Sequence, residues 1–78
     1  MTIDTAFHVM GRMEPGRWVE LALAAEIAGQ CPDSRKVRVA VYPLLFHTAA
    51  IVRQGAIRGL ANHMTADLRL LIAKIGAR

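Results

Sequence analysis

The chain is poor in reactive groups: one cysteine, one serine, four aromatic residues and six carboxylates among 78 residues. Each scarcity removes a class of answer. Cys31 alone cannot close an intramolecular disulfide, and nothing points to an oxidising compartment. The soft metal donors His8, His47, His63 and Cys31 stand at no C-x-x-C or H-x-x-x-H spacing, so no metal and no other cofactor is expected. Ser34 sits where a helix cap is expected, and Cys31 has no basic neighbour nearer than Arg35, so neither reads as an activated nucleophile. The scattered acids form no pair for acid–base work, and no glycine-rich phosphate loop is present. The expectation is a chain that is not an enzyme and takes no small-molecule substrate.

Long hydrophobic runs are also missing. The longest apolar region, Val37 to Val52, is interrupted by Arg38, Pro43 and His47 and is too short to span a bilayer. Met1-Thr2-Ile3-Asp4 lacks the basic start and apolar run of a secretory signal. A cytoplasmic protein without a membrane segment is expected.

Apolar residues are plentiful instead, at 54% of the chain. A single domain, residues 1–78, buries only about 60–65% of the surface its unfolded form exposes, so part of this apolar surplus stays outside, where such patches tend to mark association sites. Net charge is +4, from ten Lys+Arg against six Asp+Glu. That balance permits an acidic protein or a nucleic acid as partner. The cations are spread along the chain except at Arg35-Lys36-x-Arg38, which with Arg17 forms the candidate basic contact patch. The cluster falls where a helix should begin, a place the helix dipole makes mildly unfavourable for cations. It reads either as a contact surface or as a solvated helix start. No aromatic residues are interleaved with these arginines, which argues against stacking on single strands.

The fold class expected is all-α, with five short helices. The first runs over about 4–13, with Phe7, Met10 and Met13 three apart; Glu14-Pro15 ends it. The second covers about 15–28, with Pro15 in its first turn and Gly29 as a left-handed stop. Asp33 or Ser34 caps a third at about 35–46, in which Pro43 removes a bond to residue 39 and loosens the last turn. Thr48 is the expected cap of the fourth, about 49–63, and Thr65 of the fifth, about 66–76. Val37 to Tyr42 alternates with the period of a strand, but the apolar positions continue at Leu44 and Leu45 and no hairpin turn follows. Helices this short are marginal alone, so packing must supply most of the stability.

Shifting the sequence by 32 residues lays the first helix pair on the second: Phe7 on Val39, Val9 on Val41, Met10 on Tyr42, Met13 on Leu45, Ala24 on Ala56 and Ala28 on Leu60. Such self-similarity is the mark of stacked repeats. Within the fourth helix, Val52, Arg53, Ala56, Gly59 and Leu60 form a stripe built largely of small side chains, and Ala24-Ala25-Glu26-Ile27-Ala28-Gly29 closes the second helix in a similar way. These segments resemble the second helices of HEAT repeats. The resemblance spans nearly the whole chain as two stacked hairpins plus a C-terminal helix. It departs from the family where His47-Thr48-Ala49-Ala50 replaces the usual Asp of the intra-repeat turn, and where Leu21 stands in place of the first arginine.

That resemblance implies a concave partner-binding surface on the second helices, here Arg53, Gln54, Ile57, Arg58 and Asn62. Ile57 between Arg53 and Arg58 reads either as an apolar centre with a basic rim or as an ordinary solvated face. Trp18 is either a core staple or an interface anchor. The function expected is a non-enzymatic protein–protein interaction module, such as a small bacterial or phage adaptor or regulator, with nucleic-acid binding through the arginine-rich surface as the alternative. The uncovered end of the stack, with Leu68, Leu71, Ile72 and Ile75 on the fifth helix, also points to self-association.

Overall fold

A computed structural model describes residues 1–12 and 14–76, with only the backbone described for Ile75 and Gly76; Met13, Ala77 and Arg78 lie outside this range. Five α-helices account for most of it: α1 (Ile3–Arg12), α2 (Trp18–Ala28), α3 (Ser34–Val41), α4 (Ala50–Leu60) and α5 (Ala66–Gly76). No strand occurs among the described residues. The alternating segment is helical, burying Val37 and Val41 four apart while Val39 faces out.

The ends of the helices follow local chemistry. Thr2 receives the Thr5 amide at 3.1 Å and opens α1. Asp33 accepts from the Lys36 amide and caps α3, and Thr65 accepts from the Leu68 amide and caps α5. Thr48 does not cap α4. The residue there is Ala49, which makes no side-chain cap, and its amide donates to His47 Nδ1 at 3.0 Å. Nor does α2 begin at Pro15: Gly16 has φ +84°, a turn conformation that holds the helix start back to Trp18. Pro43 acts as expected. Beyond Val41 the chain tightens into a 3-10 turn over Tyr42–Phe46, because Pro43 has no N–H to return to residue 39. A second 3-10 turn, Ala61–His63, ends the fourth helical segment.

Two helical hairpins stand side by side. In the first, α1 packs on α2; in the second, α3 and its 3-10 turn pack on α4. The second helices run parallel, since Gly55 lies against Ala22 and Gly59 against Ala25. The first helices are neighbours too, with Lys36 Nζ 4.6 Å above the Phe7 ring. The result is a slab of two helix layers, 29 × 27 × 14 Å along its principal axes. α5 touches it mainly through Leu68, which is buried, and through half-buried Leu71 and Ile72.

Buried positions correspond between the hairpins at a spacing of 31 residues, one fewer than the sequence shift suggests. Ala6 and Met10 answer to Val37 and Val41. Leu21, Ala24, Ala25, Ala28 and Gly29 answer to Val52, Gly55, Ala56, Gly59 and Leu60. The pairings of Phe7 with Val39 and Met10 with Tyr42 therefore join residues in unlike surroundings.

The contact between α2 and α4 is backbone to backbone. A Cβ placed on Gly55 would stand 2.5 Å from the Ala22 carbonyl oxygen, and one on Gly59 or Gly29 would press still harder on Ala25 or Gly59. Gly29 is accordingly not a left-handed stop; its φ of −61° is right-handed. Its missing side chain is what the site requires. Around this seam lie Leu21, Leu44, Leu45, Leu60, Val37, Val41 and Val52, each fully buried and each worth about 1.5–3 kcal/mol of transfer free energy.

Candidate functional site

α4 and the 3-10 turn after it present the residues expected on a partner-binding face unequally. Gln54, Arg58 and Asn62 are exposed. Ile57 is half-buried and packs against the core. The Arg53 guanidinium donates to the carbonyls of His47 (2.7 Å) and Thr48 (2.9 Å), tying α4 to the turn before it. These bonds occupy the turn where an Asp was missing: the arginine meets backbone carbonyls directly.

The apolar part of this layer comes from elsewhere. Val19 and Leu23 of α2 are 61% and 50% exposed, and Ile51 of α4 is 44% exposed. Together with Trp18 they line an open hollow at the N-terminal end of the two parallel helices. Trp18 is half-buried, its ring meeting His47 edge-on at 4.4 Å between centroids; it is both a staple and a wall of the hollow. Apart from Glu20 and Glu26, α2 is built of apolar residues, and a helix of that kind needs partners on more than one side. Here one side has none among the described residues.

The basic patch divides in two. Arg17 belongs to a surface chain of ion pairs, Arg12–Glu14 (3.6 Å), Arg17–Glu14 (3.1 Å) and Arg17–Glu20 (3.1 Å). Solvent screening leaves such exposed pairs little stabilising effect, about 0–1 kcal/mol each, but they neutralise Arg17. On α3, Arg35, Lys36 and Arg38 have no carboxylate in ion-pair reach among the described residues. Aromatic residues do accompany them. Tyr42 and Phe46, in edge-to-face contact at 5.5 Å, continue the same outer side of the helix and are 44% and 57% exposed. The expectation that aromatics are absent from the arginine surface is thus corrected; one and three helical turns separate the two rings from Arg38 and Arg35, beyond what neighbouring letters reveal.

One side-chain pair was not foreseen. Ser34 Oγ lies 2.7 Å from His63 Nδ1, and His63 Nε2 lies 2.8 Å from the Gly29 carbonyl. A carbonyl only accepts, so Nε2 carries a proton; in the neutral ring Nδ1 then accepts from the Ser34 hydroxyl. A serine beside an oriented histidine has the outline of a nucleophile and its base. Its surroundings favour a joint instead: His63 is buried at the meeting of the α2 end, the α3 start and the turn after α4. The other two histidines are occupied apart from it, His8 accepting from Arg12 and His47 from the Ala49 amide. Among the described residues no group of three His, Cys, Asp or Glu side chains converges, and no helix is long and apolar enough to cross a membrane. Compared with protein-family models, with curated proteins and with solved structures, the chain matches none.

Proposed function

We propose that this chain is a non-enzymatic protein-interaction module, two HEAT-like hairpins with an added helix, that holds a cytoplasmic protein partner on the outer face of α2 and α4. The observation carrying the reading is the uncovered apolar surface of Val19, Leu23 and Ile51, with Arg17 and Glu20 at its edge and the exposed Gln54, Arg58 and Asn62 farther along the chain from Ile51. Apolar centres with polar rims are the usual anatomy of protein interfaces. The parallel second helices, the 31-residue correspondence of buried positions and the bond from Arg53 to the intra-hairpin turn support the HEAT-like assignment.

The test is capture of partners from cells that make the protein, with wild type and L23D/I51D compared. Both side chains are about half exposed and neither belongs to the buried core, so the variant stays folded, which its thermal midpoint checks. A partner held by wild type and lost by the variant supports the reading; one held equally by both defeats it. Covalent labelling of Ser34 by a serine-directed fluorophosphonate would defeat the non-enzymatic part. The same uncovered surfaces, with Leu70 on α5 at 66% exposure, favour self-association, which light scattering across protein concentrations measures directly.

Nucleic-acid binding remains the second reading, favoured by the unpaired cations of α3. Phosphate contacts would make affinity fall steeply with added salt, about one power of the salt concentration per contact.

A further inference from the structure

A second uncovered surface lies on the opposite layer, along α3. Arg35, Val39 and Tyr42 follow one another at spacings of four and three, which brings them to one side of α3, and the ring contact of Phe46 with Tyr42 adds Phe46 to that side. Val39 is 69% exposed, the most open of the large apolar side chains among the described residues, and Phe46 is 57% exposed. Beside this ridge, between α1 and α3, runs an open hollow of about 440 Å³ walled by Phe7, Val39 and Ala40 and rimmed by Arg35, Lys36 and Asp33. Asp33 is committed to capping the helix, accepting the Lys36 amide. Arg35, Lys36 and Arg38 are paired with no carboxylate among the described residues. Asp67, across the cleft toward α5, shares a hollow with Arg38 and Tyr42 without reaching ion-pair distance.

The apolar ridge therefore begins at one cation, Arg35, and is flanked by two more, Lys36 over the Phe7 ring on the α1 side and Arg38 in the hollow toward α5. We infer that the α3 face binds an acidic, amphipathic protein segment, whose apolar side seats on Phe7, Val39 and Phe46 and whose carboxylates meet Arg35, Lys36 and Arg38. Complementary charge selects the sign of the partner, and the chain's net charge of +4 draws an acidic segment toward it. The aliphatic Val39 and the walls of the hollow favour a protein over a nucleic acid: a base has a flat face to stack on Tyr42 or Phe46, but nothing to fill a hollow lined by Phe7 and Ala40. A helical segment of about sixteen residues is about 24 Å long, comparable with the 27 and 29 Å breadths of the slab.

The inference is tested on the whole purified chain by fluorescence anisotropy. The probe is a fluorescein-labelled amphipathic peptide of about sixteen residues, leucine on one side and glutamate on the other. Its counterpart with glutamine for glutamate and a mixed-sequence single-stranded oligonucleotide serve as comparisons. Expected are binding of the acidic peptide and a loss of about tenfold or more for the glutamine peptide, for R35E/R38E and for V39D. R58E, on the other layer, and L23D/I51D bind the peptide as wild type does. Circular dichroism and the thermal midpoint show that each variant is folded. Failure of wild type to bind the acidic peptide, equal affinity in R35E/R38E, or tighter binding of the oligonucleotide than of the peptide overturns the inference. Because L23D/I51D leaves this face untouched, either surface can fail without the other.

Discussion

Gly55 and Gly59 meet backbone rather than side chains across the α2–α4 seam, so nothing nearby can rotate away from an added methyl group. Gly59→Ala and Gly55→Ala each force the helices apart. Overpacking of this kind costs about 1–3 kcal/mol or more, against about 1 kcal/mol gained from better helix propensity. A net loss of about 2 kcal/mol is expected for Gly59→Ala, lowering the thermal midpoint by about 8–16 °C for a domain of this size. Gly11 is the control: it lies within α1 with nothing within 4 Å of an added Cβ, so Gly11→Ala stabilises by about 0.5–1 kcal/mol. Thermal unfolding of the three variants decides this, and equal midpoints for Gly11→Ala and Gly59→Ala would refute the close seam. His63 is the second residue whose removal should be felt. His63→Ala strands the Gly29 carbonyl and leaves a void, for a loss of about 2–3 kcal/mol, whereas Ser34→Ala, which removes only the hydroxyl donor, loses about 1 kcal/mol.

The elements differ in how firmly they are held. α2 and α4 share the seam and most of the core, while α5 rests on Leu68, Leu71 and Ile72. Amide hydrogen exchange should follow that order. The amides of α5 exchange through local opening well before those of Leu21–Ala28 and Val52–Leu60, which open only with the whole molecule. Matching exchange rates in α5 and α4 would mean that α5 is as integral as the others. The sequence made the helices themselves legible, because apolar spacing, Asp33, Thr65 and Pro43 each act within a turn of their own position. It misplaced what depends on a distant segment. Gly29 looked like a helix stop because its role is set by Gly59, thirty residues away in the other hairpin. Arg53 looked like a free surface cation, since its acceptors are backbone carbonyls and carry no side-chain signature. The uncovered side of α2 and the ridge of α3 were hidden for the same reason: exposure is decided by which helices are missing from a face, and spacing alone cannot count them.

At the scale of the molecule, a thin slab of two layers exposes much of its apolar content on both broad faces. Leu23→Ser and Val39→Ser each remove exposed apolar area without touching the core, so their thermal midpoints stay within about 2 °C of wild type, as surface substitutions usually do within about 0.5 kcal/mol. Binding of a hydrophobic dye should nevertheless fall in both. A lowered midpoint would place these side chains inside the packed core instead.

The glycine seam also sets a limit on growth. The positions of α2 that admit α4 so closely are Ala22, Ala25 and Gly29; their counterparts 31 residues on are Arg53, Ala56 and Leu60. A third rod laid alongside α4 in the same manner would need the places held by the Arg53 stem and by the already buried Leu60, where the first pair found open backbone. Lateral addition by that rule stops at two, and α5 joins the slab elsewhere, beside Arg38 and Tyr42 of the other layer.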